Sequence, residues 1–310
     1  MAHPRTHGLV HQALLYGSED EYIAGCRQFI EAGLDRSEPV LVAVPRPKHR
    51  ALRTALNGDA RRVEFMDMSE LGRNPSRIIP AVREWSEGQG RRRCRFIGEP
   101  IWPGRSRSET VEATRHEALL NFAFGESPIS ILCPYDTDGL DPRVIADAER
   151  THPELVRCGD RTASGGYTDP LNIWYSTEWP LPEPHATVAK ISVGEDLASL
   201  RRVVESYSRM VGLGVPRSSD LVLAVHEVAT NALRYSDTPG ELRMWIEGDR
   251  VVCEISDDGR LEDPLVGRRR PAPDWVSGRG LWLVNQICDL VELRPSASGT
   301  TVRLHVDIAS

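Results

Sequence analysis

The most restrictive feature of the sequence is an uninterrupted apolar run, Val40–Val44, which ends at Pro45. A strand that is apolar at every position is typical of a parallel sheet covered on both faces, whereas a strand with one hydrated face alternates. Segments with helical spacing lie on either side of the run, at Glu19–Ala32 and at about Pro47–Asn57. This order predicts a mostly parallel sheet with helices on both faces.

The rest of the first half repeats the alternation of strand and helix. Gly33 is expected to end the first helix. Further strands are predicted at Leu9–Tyr16, Val63–Met66, Arg95–Ile97 and Ile129–Cys133, and further helices at Ser76–Ser86, Glu109–Phe124 and Pro142–Thr151.

Length and composition indicate two domains. The chain has 310 residues, which exceeds the usual size of one domain. Residues 162–169 are polar and contain glycine, and Trp179–Pro184 reads W-P-L-P-E-P, which its prolines hold extended. We therefore predict a first domain over residues 1–160, a Pro/Gly-rich linker over 161–185 and a second domain over 186–310.

The net charge, the cysteine spacing and the lengths of the apolar stretches limit the kinds of protein that this sequence can encode. The formal net charge of −7 argues against direct nucleic-acid binding, which needs a basic stripe. The six cysteines show no C-x-x-C spacing, as expected for reduced thiols. Met1–Gly8 lacks an apolar signal core, and no apolar stretch approaches membrane-spanning length. These features predict a cytoplasmic protein with no membrane contact.

The second half has a different order of predicted helices and strands. Apolar residues recur at helical spacing from Leu197 to Val211, and a second helix is predicted over Leu221–Arg234, capped by Ser218, Ser219 and Asp220. Two alternating stretches separated by Gly248-Asp249 predict an antiparallel hairpin. A helix at Leu281–Cys288 and strands at Val291–Arg294 and Thr301–Val306 complete an α+β layer.

A carboxylate and a carboxamide share one face of the helix at Leu221–Arg234. Glu227 and Asn231 stand at i and i+4. The Asn oxygen is a ligand type that Mg²⁺ accepts, and a Glu can orient or deprotonate a hydroxyl. Taken alone, the pair is also what a hydrated helix face looks like.

Two glycine-bearing segments follow. Asp257-Asp258-Gly259 ends the hairpin, where an Asp can accept an adenine N–H and a glycine lets a flat base approach; a simple turn is the other interpretation. Ser277-Gly278-Arg279-Gly280-Leu281 opens a helix, where backbone N–H groups favour anions, although such a glycine pair usually only caps a helix.

The order of these segments, followed by Gly299-Thr300-Thr301, resembles the GHKL ATPase superfamily, and within it the RsbW-like anti-sigma factor/serine kinase branch. The resemblance covers about Ala186 to Ile308 and implies a GHKL (Bergerat) α+β sandwich that binds ATP and Mg²⁺. It implies Asn231 as the Mg²⁺ ligand and Glu227 as the catalytic base. It implies adenine contacts from Asp257, Gly259 and Thr301, and a phosphate loop at Gly278, Arg279 and Gly280.

The sequence departs from the superfamily pattern at two places. D-x-G-x-G becomes Asp257-Asp258-Gly259-Arg260-Leu261, so Leu261 replaces the second glycine. The short lid segment, about Leu261–Ser277, carries Arg268, Arg269 and Arg270, which could contact a γ-phosphate or a partner, or simply form a hydrated basic loop.

The first domain resembles the MEDS sensory domain, over about Gly8 to Leu155, which implies a RecA-like α/β sheet and a sensing role. The resemblance is carried by four segments: H-Q-A-L-L-Y from His11, I-W-P-G-R from Ile101, R-H-E-A-L-L-N from Arg115 and C-P-Y-D from Cys133. A P-loop motif is missing from the sequence, so ATP binding there is not expected. Tyr16, Trp102, His116 and Tyr135 either line a ligand or partner cleft or pack in the core.

The sequence argues against two other enzyme classes. A zinc protease needs histidines at i and i+4, but Leu120 follows His116 and Thr230 follows His226 at that spacing. A histidine kinase needs a long dimerising helical hairpin before its ATPase, where this chain has prolines.

The expected function is an anti-sigma regulatory factor with ATP-dependent serine kinase activity toward a STAS-type anti-anti-sigma partner. The first domain would control it through a small-molecule ligand, and the second could form a homodimer. The alternative is a non-catalytic module, with ATP or without nucleotide, that regulates transcription by sequestering a sigma factor.

Overall fold

The computed structural model describes residues 8–184, 188–194, 196–272 and 278–308. Its contacts divide the chain into two compact units, with the division between Trp174 and Tyr175. This division falls inside the stretch 161–185 that the sequence suggests as a linker.

The first unit alternates strands and helices, as the sequence predicts. Its strands are β1 (Val10–Tyr16), β2 (Val40–Val44), β3 (Val63–Asp67), β4 (Cys94–Gly98), β5 (Ile129–Asp136), β6 (Glu154–Arg157) and β7 (Asp160–Ala163). Its helices are α1 (Glu19–Leu34), α2 (Arg46–Leu56), α3 (Met68–Leu71), α4 (Ile78–Gly88), α5 (Arg107–Phe124), α6 (Pro142–Thr151) and α7 (Pro170–Trp174). Short 3₁₀ turns lie at Asn57–Arg62 and Pro75–Arg77.

The seven strands form one sheet in the order β3-β2-β4-β5-β1-β6-β7. Every pairing is parallel except that of β6 with β7. Helix α1 packs through Tyr22, Cys26 and Ile30 on one face of the sheet. Helix α5 lies on the other face, where Glu117 contacts side chains of β1 and β5. The predicted mostly parallel sheet with helices on both faces is therefore confirmed.

Gly33 does not end helix α1, contrary to the prediction, because the helix continues to Leu34. The glycine instead makes room for Arg95, whose Cδ would lie 2.5 Å from a Cβ at this position. Arg95 is held there because its guanidinium donates to the Phe29 carbonyl at 2.9 Å. The glycine serves packing between the helix and the sheet.

Part of the sequence beyond residue 160 belongs to the first unit. Ile173 and Trp174 are 1% exposed. The Trp174 ring lies 4.6 Å from the guanidinium of Arg115 on α5. The small strand β7 and helix α7 therefore extend the first unit past the boundary that the alternation of large elements suggests.

The second unit contains β8 (Ala189–Val193), α8 (Leu197–Met210), α9 (Val215–Tyr235), β9 (Gly240–Glu247), β10 (Arg250–Asp257), α10 (Gly280–Ile287), β11 (Leu290–Ser296) and β12 (Gly299–Asp307). Its sheet is antiparallel, in the order β11-β12-β10-β9-β8. Helix α9 contacts α8, α10 and the sheet, and buries Leu221, Val225, Val228 and Ala232 as expected. This is an α+β sandwich of the predicted kind.

The predicted cap of α9 at Ser218, Ser219 and Asp220 is wrong. The helix begins at Val215 with Gly214 as its N-cap, because Pro216 supplies the backbone angle that a first helical turn requires. Ser218 is buried within the helix, where its hydroxyl bonds the hydroxyl of Ser208.

The proline-bearing segment lies along the sheet of the second unit. Arg303 donates to the Pro182 carbonyl at 2.9 Å, and Arg294 donates to the Trp179 carbonyl at 3.2 Å. Within the described residues, no helix has the length and apolar character that crossing a membrane requires.

Candidate functional site

A cavity of about 210 Å³ in the second unit brings together the segments that the sequence singles out. Helix α9, the end of β10 with the loop after it, the start of α10, and strands β11 and β12 all contribute to its wall. The lining residues are Val228, Asn231, Arg234, Tyr235, Asp257, Gly259, Arg260, Leu261, Val266, Gly278, Gly280, Leu281, Leu293, Thr300 and Val302.

Glu227 and Asn231 stand where helix α9 meets the first residue of α10. A Cβ at Gly280 would lie 2.6 Å from Glu227 Oε2 and 3.6 Å from Asn231 Nδ2. Both side chains are half-buried. The carboxylate, the carboxamide and the start of α10 therefore form one continuous polar corner, where a side chain at position 280 would displace the Glu227 carboxylate.

Asp257 and Gly259 form a tight turn at the end of β10. The Gly259 N–H donates to Asp257 Oδ1 at 2.8 Å, and a Cβ at Gly259 would lie 2.8 Å from the Tyr235 carbonyl oxygen. Partial burial raises the pKa of the Asp257 carboxyl, and the hydrogen bond from Gly259 opposes that rise. The turn therefore holds one carboxylate oxygen in a fixed position at the cavity wall.

Strand β12 supports this turn at its first residues. A Cβ at Gly299 would lie 1.9 Å from the Asp257 carbonyl oxygen, and its φ of +140° is one that glycine adopts without strain. The Thr300 hydroxyl donates to the Gly259 carbonyl at 2.7 Å. The position of Asp257 and Gly259 thus depends on the Gly299-Thr300 pair.

Thr300 lines the cavity, whereas the resemblance implies Thr301. Successive side chains of a strand point to opposite faces of the sheet. The Thr301 hydroxyl lies 3.0 Å from the hydroxyl of Ser256, its partner across the β10–β12 pair, on the face away from the cavity. The expectation for Thr301 is therefore corrected by one residue.

The glycine segment before α10 also lies at the cavity. Gly278 has a φ of +84°, a left-handed conformation that favours glycine, and Gly280 is the first residue of α10. Arg279 lies between them as the N-cap residue. The first N–H groups of a helix have no carbonyl partner within it, so this end carries positive partial charge. Ser277 lies outside the described residues.

The departures from the superfamily pattern have structural consequences. Arg260 and Leu261 both line the cavity, so the missing glycine places a leucine at its wall. Arg269 is exposed and pairs with Asp263 at 3.1 Å, as a hydrated loop requires. The side chain of Arg268 is instead buried, at 2% exposure, so it does not belong to a hydrated basic loop.

The aromatic candidates of the first unit do not share a cleft. Tyr16, His116 and Tyr135 are buried. Tyr16 is paired with Asp136 in the β1–β5 register, which places Tyr135 on the opposite face of the sheet. Trp102 is half-buried, with the Arg105 guanidinium 4.4 Å from its ring.

Sequence reasoning missed a partly buried ion pair in the first unit, between Lys48 and the buried Glu99. Lys48 pairs with Glu99 and donates to the Tyr16 hydroxyl at 2.6 Å. Burial raises the pKa of Glu99 to about 7, although the Lys48 ammonium favours the ionised form. The signal in the sequence was the rarity of lysine, since Lys48 and Lys190 are its only two.

Two family models match the chain. Residues 10–153 match the MEthanogen/methylotroph, DcmR Sensory (MEDS) domain, and residues 193–306 match the histidine kinase-like ATPase domain. No curated protein matches. Among solved structures, the RsbU and RsbW domains of a Mycobacterium tuberculosis protein align over 66% of this chain at 16% identity and a TM-score of 0.31. The alignment spans 49% of that structure, about half its length.

The histidine kinase AdeS of Acinetobacter baumannii also matches. It aligns over 41% of this chain and 70% of its own, at 10% identity and a TM-score of 0.24.

Proposed function

The chain joins a MEDS sensory domain to a histidine kinase-like ATPase domain, and from this pairing we propose that it is a cytoplasmic regulatory kinase of the RsbW type. In this proposal the second unit binds Mg·ATP and phosphorylates a serine of a STAS-type anti-anti-sigma protein. The same unit binds a sigma factor when that partner is phosphorylated. The MEDS domain shifts the balance through a small-molecule ligand, by binding it differently in two states.

One observation carries the proposal: Gly280 lies against both Glu227 and Asn231, and it lines the same cavity as Asn231, Asp257 and Gly259. A helix start, a carboxylate, a carboxamide and an acceptor for a base thus meet around one cavity.

The residues present fit a nucleotide. Gly259 and Gly280 both line the cavity, so a bound molecule there would lie next to backbone that carries no side chain. Pockets for whole drug-sized ligands are roughly 300–1,000 Å³, so this cavity of about 210 Å³ suits a base with its sugar. The phosphates would extend toward Gly278, Arg279 and Gly280, where the start of α10 favours anions.

Each side chain has a defined task in the proposed reaction. Bound ATP supplies the phosphoryl group, and Mg²⁺ neutralises its charge. Asn231 offers a neutral oxygen of the kind that Mg²⁺ accepts. Asp257 accepts the exocyclic N–H of adenine. Glu227 accepts the proton of the serine hydroxyl and orients that hydroxyl for transfer.

The test is transfer of labelled phosphate from ATP to a STAS-type anti-anti-sigma protein from the same genome, using the full-length protein. We expect transfer by the wild type and a loss of at least about 100-fold in Glu227→Gln. ATP affinity, measured by calorimetry, is retained in that variant. The matched control is Glu205→Gln, which removes an exposed glutamate of α8 that pairs with Arg209 one turn along its own helix. Transfer that survives in Glu227→Gln contradicts the assignment.

One observation favours a second candidate function. Arg260 and Leu261 occupy the wall where the superfamily has a glycine, which is compatible with a module that sequesters a sigma factor without catalysis. That candidate predicts stable sigma-factor binding by the wild type, no phosphate transfer, and equal behaviour of the wild type and Glu227→Gln. A homodimer of the second unit is compatible with either function.

A further inference from the structure

Four side chains with metal-binding atoms converge in the first unit. His11 lies on β1, Glu117 on α5, Cys133 on β5, and His152 directly after α6. All four are buried, and the offered ligand atoms lie within 4.8 Å of one another. Residues as far apart as His11 and Cys133, 122 positions in sequence, thus meet at one point between the sheet and its helices.

The separations of these atoms are those of a tetrahedral zinc site. Bonds of about 2.0–2.1 Å to nitrogen or oxygen and about 2.3 Å to sulfur place neighbouring ligand atoms roughly 3.3–3.6 Å apart. Glu117 Oε2 lies 3.2 Å from His11 Nε2 and 3.3 Å from His152 Nε2. Cys133 Sγ lies 3.2 Å from Glu117 Oε2 and 3.5 Å from His11 Nε2.

The partners of both imidazoles fix which nitrogen carries the proton. Asn121 directs its amide N–H to the Thr151 carbonyl at 2.8 Å, so its oxygen faces His11 Nδ1 at 3.0 Å and accepts a hydrogen bond from the N–H there. His152 Nδ1 donates to the Ala148 carbonyl at 2.8 Å. In the neutral rings both Nε2 atoms therefore carry lone pairs. Histidines that bind a metal commonly donate the N–H of their other ring nitrogen to a carbonyl or carboxylate oxygen in this way.

The four side chains supply no positive charge when both imidazoles are neutral. Two imidazole lone pairs and a carboxylate face one another without water-exposed surface, an arrangement that repels unless a cation or extra protons intervene. Among the residues that the structure describes, Glu117 Oε1 and His152 Nε2 have no hydrogen-bond partner. Both atoms belong to side chains with no exposed area.

We propose that His11, Glu117, Cys133 and His152 bind one divalent transition-metal ion, with Zn²⁺ the best match. Imidazole and thiolate ligands favour zinc and its neighbours over Mg²⁺ or Ca²⁺, which require oxygen. Four protein ligands complete a tetrahedron, so the site is closed and structural in type. Binding displaces the Cys133 proton to solvent, and the ion links β1, α5, β5 and the end of α6.

Cobalt is the probe, because Co²⁺ takes tetrahedral zinc sites and reports its ligands in its spectrum. The full-length protein is stripped with a chelator and titrated with Co²⁺. We expect one equivalent to bind with intense visible bands of tetrahedral cobalt and a thiolate-to-cobalt charge-transfer band, and Zn²⁺ to displace it. Cys133→Ser abolishes the charge-transfer band. Cys94→Ser, which removes another buried thiol of the same sheet, leaves it intact.

A second measurement tests the proposed metal site in the wild type, without any variant. X-ray absorption of the zinc-loaded wild type is expected to show one sulfur and three nitrogen or oxygen ligands, and the ion raises the thermal midpoint of the wild type. The proposal is overturned by weak octahedral cobalt bands, by a zinc shell without sulfur, or by a charge-transfer band that persists in folded Cys133→Ser.

Discussion

Gly280 and Glu227 lie in direct contact, so that a Cβ on the glycine would stand 2.6 Å from the carboxylate oxygen Oε2. Gly280→Ala must therefore displace the Glu227 carboxylate from the start of α10 and place a methyl group in the polar corner beside the cavity. We expect its ATP affinity to fall at least tenfold, or about 1.4 kcal/mol, with the fold retained. Calorimetry with Mg·ATP measures the loss.

Gly194→Ala is the control for this prediction. A Cβ at Gly194 meets no heavy atom within 4 Å, so the same change in composition occurs in open space. Equal ATP affinity in the two variants would show that the contact between Gly280 and Glu227 has no bearing on nucleotide binding.

We expect the Asp257 carboxylate to determine the preference of the site for ATP over GTP. In Asp257→Asn the side-chain oxygen can still accept from the Gly259 N–H. The new NH₂ group then faces the exocyclic NH₂ of adenine, and two hydrogen-bond donors oppose each other. An unmatched polar contact of this kind costs about 1–3 kcal/mol. We expect ATP affinity to fall roughly 10- to 100-fold and to approach that of GTP. Competition titrations with both nucleotides measure this.

The neighbouring carboxylate provides a matched control. Asp258 accepts hydrogen bonds from the Thr238 hydroxyl and the Asp237 N–H. These three residues are not among those that line the cavity. Asp258→Asn should leave the preference for ATP over GTP unchanged. If it lowers that preference as much as Asp257→Asn does, the adenine contact is assigned to the wrong residue.

Adjacent threonines test which face of β12 borders the cavity. Thr300→Val removes the hydroxyl that donates to the Gly259 carbonyl and leaves that buried oxygen unpaired, at a cost of about 1–3 kcal/mol. Thr301→Val removes only a contact with Ser256 on the other face. We expect weaker ATP binding and a lower thermal midpoint in Thr300→Val alone. The reverse ranking, read from calorimetry and thermal unfolding, would restore Thr301 to the site.

Local patterns in the sequence were enough to predict the large elements. The apolar run Val40–Val44 is β2, and the i, i+4 pair Glu227 and Asn231 shares a helix face that meets Gly280. These features depend on spacing along a single helix or strand, which the chain displays directly. The helix start at Val215 was missed because Pro216 outweighs the serines that follow it.

Features that depend on contacts distant in sequence could not be predicted. The choice of Thr300 over Thr301 depends on the register between β10 and β12, and a one-residue shift reverses every side chain of a strand. The cluster at His11 and Glu117 joins residues more than a hundred positions apart. The spacing i, i+4 around His116 can reveal two metal ligands only when both lie on one helix. It carries no information about ligands contributed by separate strands and helices.

Glu99 makes the stability of the first unit depend on pH. Its pKa is raised by burial from an ordinary value of 4.5 to about 7, so the folded unit binds a proton that the unfolded chain releases. The stability contribution is therefore present below pH 4.5 and declines as the pH rises to about 7. In Glu99→Gln the decline disappears. The carboxyl resonance of Glu99 in carbon-detected NMR, identified by its absence from Glu99→Gln, should titrate near pH 7. A midpoint near 4.5 would mean that the Lys48 ammonium fully offsets the cost of burial.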